Sequence, residues 1–265
     1  MKLSKFILIF TVAYSFTVQA TDSFINEYNY DLVDKYGNYN FSQTIDATQS
    51  STSILIDGVE IKVGLTAWSD TGGTHDNYIE QIDNITNWQG GLTLTNNDSS
   101  DWHYIDNFVG GGDFDMILLS FDTDVILNAA SFNSEYDVKN DTKKVTVAGL
   151  SDITSFLSGS SSTWADVAEF SVFGAVAHSG ISGSSGNYES KFTGLNSAKY
   201  WLVGAYNTFF DSSAEKFDGV GFKLQALNLE LGTTTTPPTQ VSEPGALALM
   251  SLGLGLVLYR RKRRV

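Results

Sequence analysis

Three closely spaced aspartate pairs are the residues whose types and spacing point most directly to binding chemistry: Asp98 and Asp101, Asp113 and Asp115, and Asp122 and Asp124. Each pair lies among glycine, serine or threonine residues, so it places two carboxylates at loop distance. Hard oxygen ligands on a loop suit Ca²⁺, and extracellular calcium sites function even at weak affinity. None of the pairs fits the EF-hand loop. The alternative, which we favour, is that these aspartates form turns in an acidic protein.

The sequence lacks the spacing patterns of the common catalytic sites. It contains no Gly-x-Ser-x-Gly elbow for a serine nucleophile. The three histidines, His75, His103 and His178, are isolated and form no zinc-binding pair. A pair of carboxylates in a cleft could hydrolyse a glycosidic bond, but nothing singles out one pair among the many acids. We therefore predict a non-catalytic protein without a cofactor, apart from the calcium alternative.

Aromatic residues offer a second kind of binding chemistry. The chain has five tryptophans and 12 tyrosines, and exposed rings of this kind could form a platform on which sugars stack. Trp68 and Trp102 fall beside polar stretches, which favours that role for them. Trp201 lies within an apolar run and is predicted to be a core residue. The alternative, which we again favour, is that the aromatic residues fill the core.

Net charge excludes one class of partner. The 265 residues carry a formal charge of −14, but residues 21–242 hold nine lysines, no arginine and 29 acids, a charge of −20. Such a body repels a phosphate backbone, so we exclude nucleic-acid binding. The absence of cysteine excludes disulfides and thiolate metal sites. An apolar content of 42% is enough for a packed core.

The elements that must position these side chains are predicted to be strands. Residues 59–67 alternate strictly between apolar and other residues, and Asp57-Gly58 predicts a hairpin turn between them and the strand at 53–56. Further strands are predicted at 116–121, buried on both faces, and at 125–132, 143–149, 200–206 and 222–231. Residues 21–232 are therefore expected to form one all-β domain, a β-sandwich or jelly roll.

Four local features refine this expectation. Residues 122–124 are predicted to turn one strand into the next, and residues 179–186 to form a loop. The apolar positions of the last strand change parity near Ala226 and Leu227, which predicts a β-bulge there. Thr163 and Asp166 form a capping-box pattern, and either a short helix or a strand can follow it.

The first 20 residues have the three-part layout of a secretory signal peptide. Lys2 and Lys5 form a basic start, residues 6–16 are mostly apolar, and Val18-Gln19-Ala20 places small residues at the positions that signal peptidase requires. The apolar stretch is too short to span a bilayer comfortably. We expect the protein to be exported and to be cleaved after Ala20.

The C-terminal region predicts a second targeting signal. Residues 233–241 form a Thr/Pro linker with the composition of an extended spacer. A short uncharged segment follows, which predicts a transmembrane helix at 245–259. A cluster of basic residues ends the chain and predicts a cytoplasmic C-terminus. It consists of Arg260, Arg261, Lys262, Arg263 and Arg264.

The order of these parts, from Ser242-Glu243-Pro244 through the short apolar segment to the basic tail, resembles the PEP-CTERM sorting signal, also known as the ice-binding protein C-terminal domain. Ser242 stands where that family has its first proline, so Glu243 and Pro244 are the matching motif residues. The resemblance implies processing by an exosortase, a membrane transpeptidase of Gram-negative bacteria. An ordinary C-terminal membrane anchor is the alternative.

Parts of the body resemble exosortase-dependent surface proteins as well, namely residues 115–122 and 200–207 and the start of the last strand. This resemblance implies a β-rich body and delivery to the cell surface. Together the patterns predict an exported protein of the cell surface or extracellular matrix, with a structural or adhesive role in an exopolysaccharide layer or biofilm. The alternative function is a secreted carbohydrate-binding module or glycan-active hydrolase.

Overall fold

The computed structural model describes residues 28–34, 36–72, 76–95, 103–108, 114–137, 143–157, 162–211, 213 and 219–232. Strands dominate these ranges, and the prediction of an all-β body is confirmed. The predicted cleavage site at Ala20, the linker, the motif Glu243-Pro244 and the basic tail lie outside the described residues. Asp98, Asp101 and Asp113 also lie outside them.

The described residues form strands β1 (Tyr30–Asp31), β2 (Ser53–Ile56), β3 (Val59–Gly72), β4 (Asp76–Ile82), β5 (Ile85–Trp88), β6 (Gly91–Leu94), β7 (Ile105–Asp106), β8 (Asp115–Asp137), β9 (Lys144–Leu150), β10 (Ser171–Gly180), β11 (Ser182–Ser184), β12 (Asn187–Lys191), β13 (Ala198–Ala205) and β14 (Val220–Leu231). Two short helices, α1 (Thr154–Leu157) and α2 (Trp164–Ala168), connect β9 to β10. Neither is long and apolar enough to cross a membrane, and the same is true of every helix within the described ranges.

Strand β8 organises the sheet. Its first half pairs with β3 on one side and β13 on the other, whereas its second half pairs with β14 and β12. The partners change at Val125, which is paired with both Ala198 of β13 and Leu231 of β14. Together with the pairing of β9 with β10 and β13, and of β6 with β5 and β14, these pairings give the strand order β10-β9-β13-β8-β14-β6-β5.

The predicted turn at Asp122–Asp124 is wrong, because these residues lie within the 23-residue strand β8. The neighbouring strands hold the chain extended here. The carboxylate of Asp122 accepts a hydrogen bond from the backbone N–H of Lys62 at 3.1 Å, where β3 separates from β8. The carbonyl oxygen of Asp124 accepts one from the N–H of Gly232 at 2.9 Å. The backbone stays extended through both aspartates, and the pairing with β13 shifts register between Ala198 and Tyr200, opposite this segment.

Alternation along the strands divides the buried apolar side chains between two clusters. The main core draws on both halves of β8 and includes Leu65, Leu119, Trp201 and Phe222. The second cluster lies on the opposite face of β3, β8, β9 and β13, where helices α1 and α2 cover it. Residues 116–121 are accordingly buried on both faces, as predicted from their sequence.

The hairpin turn between β2 and β3 is confirmed. Asp57 and Gly58 have φ angles of 52° and 79°, which suit a tight two-residue connection. The bulge in β14 is also confirmed, one residue earlier than predicted. Leu224 pairs with Phe132 and Ala226 with Ser131, so Gln225 is the extra residue.

The capping box begins a helix. Of the two predicted alternatives, a short helix or a strand, the helix is therefore the one present. The hydroxyl of Thr163 accepts from the N–H of Asp166, and the carboxylate of Asp166 accepts from the N–H of Thr163. The predicted loop at 179–186 is wrong: β10 continues to Gly180, and β11 pairs with β12 around Ser185 and Gly186. Its small residues form a hairpin because backbone pairing needs no large side chain.

Candidate functional site

The predicted calcium ligands that the structure describes do not form a loop site. Asp115 is buried in β8, where its carboxylate accepts from the N–H of Asp106 at 3.4 Å. Asp122 and Asp124 lie in the middle of the same strand, not on a loop. Within the described ranges, no group of three or more histidine or acidic side chains is arranged to hold a metal ion. Calcium binding through Asp98, Asp101 and Asp113 stays a prediction.

His178 belongs to a hydrogen-bonded network at the end of β10 that also includes Thr146, Tyr206 and Asp211. Its Nε2–H donates to the carbonyl oxygen of Phe210 at 3.2 Å, so Nδ1 of the neutral ring accepts from the Thr146 hydroxyl at 2.9 Å. Burial lowers the pKa of His178. The hydroxyl of Tyr206 donates to Asp211 at 2.6 Å and, with the N–H of Ser213, lowers the pKa of Asp211 to about 2. Thr146 is fully buried, so this network ties strands together and presents no nucleophile.

Three of the tryptophans are core residues. Trp201 is confirmed as one, and Trp164, the first residue of α2, is equally buried. The suggestion that Trp68 forms part of a sugar platform is wrong. Only 6% of Trp68 is exposed, and it packs against Phe156 with 4.8 Å between ring centroids. Trp102 lies outside the described residues.

Trp88 is the exposed tryptophan of the described chain, and it lies beside other aromatic residues. Half of its surface is accessible, as is 46% of Tyr136. Tyr104, Phe108 and Tyr136 contact one another, with centroid separations of 5.5–6.1 Å. We call Trp88, Tyr104, Phe108 and Tyr136 the aromatic surface. Its members come from β5, the chain around β7, and β8.

Lys223 joins the two parts of the aromatic surface. Its Nζ lies 5.9 Å from the ring centroid of Trp88 and 5.0 Å from that of Tyr104. The side chain is only 4% exposed, and this burial lowers the pKa of Lys223. Among the described residues its ammonium has one hydrogen-bond acceptor, Oε1 of Gln89 at 3.3 Å, and no carboxylate. The cation is therefore held mainly against ring faces.

Strand register places these side chains on the face opposite the main core. Leu92 and Phe222 point into that core, so their neighbours Gly91 and Lys223 point away from it. Trp88 is paired with Gly91 and shares its face. A Cβ atom on Gly91 would lie 2.8 Å from that of Lys223, so glycine is required for Lys223 to lie beneath the Trp88 ring.

A second glycine makes room for the other rings. Gly221, paired with both Tyr136 and Asp106, faces the same side of the sheet. A Cβ atom there would lie 2.6 Å from the Phe108 ring. Phe108 therefore packs directly on the backbone of β14, and Tyr104 and Tyr136 pack around it.

The turn between β5 and β6 fixes the position of Trp88. Gln89 and Gly90 have φ angles of 58° and 87°, which give a tight hairpin. The carbonyl oxygen of Gln89 accepts from Nδ2 of Asn133 on β8, and its side chain accepts from Lys223. The hairpin is thus bonded to both strands beneath it, and the Trp88 ring is preorganised.

Two polar grooves are lined in part by Gln225, the bulged residue of β14. The first, of about 420 Å³, is lined by Asp31, Asp34, Asn87, Gly90 and Gln225 among others. Asn87 and Gly90, which line the first groove, are close to Trp88 in sequence, but no member of the aromatic surface lines the groove. The second, of about 360 Å³, lies on the other side of Gln225 and includes Tyr28 and Glu189. The bulged residue Gln225 therefore separates two openings rich in hydrogen-bonding groups.

Comparison of the chain with protein-family models, with curated proteins and with solved structures found no match. What the site can do therefore follows from its own residues. The Trp88 ring is stacked against His103, with 5.4 Å between ring centroids, so its exposed half offers apolar contact. The amides and carboxylates of the grooves offer hydrogen bonds to hydroxyl groups.

The sequence also contains a signal for the exposure of Trp88. Ile85 is a core position, so Trp88, three residues later in an extended strand, falls on the other face. The following Gln-Gly-Gly predicts a turn. A tryptophan at the end of a strand, on the face opposite the core, is a candidate for exposure. Lys223 gives no comparable signal, because its burial depends on strands distant in sequence.

Proposed function

We propose that this protein is exported, sorted by an exosortase-type membrane transpeptidase, and released to the cell surface or extracellular matrix of a Gram-negative bacterium. The order of parts at the C-terminus carries the proposal: Glu243-Pro244, a short apolar segment at 245–259, and basic residues 260–264. The basic tail halts export on the cytoplasmic side. The short segment then presents the motif near the outer face of the inner membrane.

We further propose that the body is a β-sandwich with a non-catalytic, structural or adhesive role. The pairing of β8 supports the architecture, because side chains from both of its halves enter one core. The His178 network supports the non-catalytic role, since its hydroxyl is buried and its hydrogen bonds connect strands. An acidic body with a charge of −20 remains soluble outside the cell.

The alternative, a secreted carbohydrate-binding module or glycan-active hydrolase, receives support for its binding half. The half-exposed rings of Trp88 and Tyr136 in the aromatic surface are the observation that favours it. Binding and a structural role in an extracellular polysaccharide layer are compatible, since a matrix protein must adhere to its matrix.

The mass of the mature protein tests the sorting proposal. We expect intact-protein mass spectrometry of the envelope fraction to show a form that lacks residues 1–20 and the segment after Pro244. Pro244→Ala is expected to accumulate as an inner-membrane precursor, because it removes a motif residue. Pro237→Ala, which changes a proline of the linker, serves as the matched control and is expected to mature normally. A mature envelope form that retains residues 245–265 would contradict the proposal.

A further inference from the structure

Phe173 projects from a bulge in the edge strand β10. It is 93% exposed, and no large apolar side chain among the described residues is more exposed. The register of β10 on β9 shifts here, so that residues 172–175 oppose Gly149 alone. Ala175 faces the main core and is fully buried, whereas Phe173 points to solvent. A bulge of this kind re-aims one side chain of a strand.

A neighbouring segment holds the bulge in place. Nδ2 of Asn196 donates to the carbonyl oxygen of Phe173 at 2.7 Å, and the N–H of Asn196 donates to the carbonyl oxygen of Gly174 at 2.9 Å. Gly174 has a φ angle of 71°, and a Cβ atom there would lie 2.8 Å from Nδ2 of Asn196. Glycine is therefore required for this pair of bonds. The Phe173 ring stands on a fixed backbone, which a contacting surface need not order.

Phe173 lies at the end of the body from which the C-terminal chain leaves. Gly232 is the last residue that the structure describes, and a Cβ atom on it would lie 2.7 Å from that of Ser197. Ser197 directly follows Asn196, which binds the backbone of Phe173. We call this end of the body, marked by residues 172–175, residues 195–197 and Gly232, the exit end.

The exit end is partly apolar. Val172, Leu195 and Leu231 are half-buried there and pack against the main core. Each is adjacent in sequence to a residue of the contacts just described, so Phe173 protrudes from a surface that already has apolar side chains. A protruding ring on such a surface is typical of a contact site for a protein or a membrane.

The length of the C-terminal chain decides between these two. Twelve residues separate Gly232 from the apolar segment at 245–259, and fully extended they reach about 45 Å. With that segment in the membrane, the exit end stays within this distance of the lipid. A short tether raises the effective concentration of the lipid surface to the millimolar range, so even a weak contact forms. A second copy of the chain or a soluble partner is not held in this way.

The side chains and the charge of the body indicate the kind of lipid contact. An aromatic ring with aliphatic neighbours enters the boundary between headgroups and acyl chains. The body carries a charge of −20, which an anionic surface repels. The contact is therefore apolar and suits zwitterionic lipid.

We propose that Phe173 contacts the outer face of the inner membrane in the anchored precursor and holds the exit end against zwitterionic lipid. The contact keeps Glu243-Pro244 close to the membrane surface until the chain is cut, and it is lost on release. The inference rests on the membrane-anchored precursor proposed above, and it names the surface with which the body meets the membrane.

Fluorescence quenching in vesicles tests the contact. The chain has no cysteine, so a single nitrobenzoxadiazole label can be placed at Lys199→Cys near the exit end or at Ser184→Cys far from it. Both side chains are exposed. Ser184 lies in the β11–β12 hairpin, which pairs with β8 as far as Phe132, about 20 Å of strand from Val125.

The full-length gene is expressed in a bacterium without an exosortase, and the anchored precursor is purified from the inner membrane. It is reconstituted into phosphatidylcholine vesicles that contain a lipid with a nitroxide on its headgroup. Flotation of the vesicles shows that the chain is anchored. We expect the label at position 199 to be quenched strongly and the label at position 184 to be quenched much less.

Phe173→Ala in the chain labelled at position 199 should lower the ratio of contacting to free molecules roughly tenfold, because the apolar contact of the ring is lost. Phe173→Trp should keep the quenching. Tyr36→Ala is the matched control: Tyr36 is an aromatic residue with 78% exposure, next to Gly37 of the first groove, and its removal should leave the quenching unchanged. Near-ultraviolet circular dichroism checks that each variant is folded.

Equal quenching in the Phe173→Ala and Tyr36→Ala chains, or equal quenching of the two labels, would overturn the inference and would reject the membrane contact alone. A chain that does not float with the vesicles would overturn it together with the anchored precursor. A chain that shows the Phe173 effect but keeps residues 245–265 in its mature envelope form rejects the processing step alone.

Discussion

His178 is held as a neutral imidazole by its contacts. Its Nε2–H donates to a carbonyl oxygen, and its Nδ1 accepts from the Thr146 hydroxyl. The same hydroxyl oxygen accepts from the N–H of Asn207 at 2.9 Å. Protonating Nδ1 would force a second donor onto that oxygen and would leave the Thr146 proton without its acceptor. Burial and the nearby Lys144 lower the pKa of His178, and the bond to Phe210 and the Asp211 carboxylate oppose them.

These shifts predict two pH windows of stability loss. The unfolded chain binds a proton at His178 below about pH 6.5, where the folded chain does not, so the free energy of unfolding falls from there down to the folded pKa. Asp211 has a folded pKa of about 2 against an ordinary value of 3.8, so its contribution is lost as the pH falls from about 3.8 to 2. Urea unfolding across this pH range measures both windows.

Two variants serve as controls for each other. His178→Gln should remove the first window and keep the second. Asp211→Asn should reduce the second, to which Asp34, Asp152 and Asp166 also contribute through their lowered pKa values. It should slightly widen the first, because the Asp211 carboxylate raises the pKa of His178. Parallel stability curves for the unmodified chain and His178→Gln between about pH 7.5 and 5.5 would contradict the assignment.

At the scale of the elements, the bulge at Gln225 keeps β14 amphipathic. Before it, Phe222 and Leu224 face the main core, and after it Leu227 and Leu229 do. Deleting Gln225 would shift the second pair to the outer face, because side chains alternate with a period of two. Exposing two leucines costs about 3–6 kcal/mol.

We therefore expect the Gln225 deletion to unfold or aggregate under conditions where Gln225→Ala remains folded. The substitution keeps the backbone length, including the carbonyl oxygen that accepts from the N–H of Leu32. It should change the free energy of unfolding by no more than about 0.5 kcal/mol, as a partly exposed substitution does. Thermal unfolding of the two variants side by side measures this. A deletion as stable as the substitution would show that β14 can re-register.

The bulge could be predicted from sequence because it leaves a parity change in the apolar residues of a single strand. The β2–β3 hairpin and the capping box of α2 are also local, and all three are present. The Asp122–Asp124 segment has turn-forming residues, but it continues β8 because the residues on either side of it pair with β3, β13 and β14, which are distant in sequence. For the same reason, neither the burial of Trp68 nor the Trp88–Lys223–Tyr104 arrangement can be predicted from the local sequence. Local composition cannot report which distant strands meet.

At the scale of the whole molecule, like charge opposes the compact state. Nine lysines face 29 acids in residues 21–242, and few of the lysines are used in ion pairs within the described chain. One bridge joins Lys143 to Glu135 and another joins Lys191 to Glu189 at 3.4 Å. Self-repulsion of this size lowers the free energy of unfolding, and dissolved salt screens it.

We expect the melting temperature to rise by about 2–4 °C when NaCl is raised from about 10 to about 100 mM, because the screening length falls from about 30 to about 10 Å. Choline chloride should have the same effect, since screening does not depend on the identity of the cation. Differential scanning calorimetry at neutral pH measures both. A melting temperature that falls or stays constant would mean that attractive ion pairs outweigh the repulsion.

The comparison extends to divalent ions: MgCl₂ and CaCl₂ at equal ionic strength should also match if the aspartates bind no calcium. A larger rise in CaCl₂, reversed by EDTA, would instead establish a specific calcium site and point to Asp98, Asp101 and Asp113, since Asp122 and Asp124 are committed to β8.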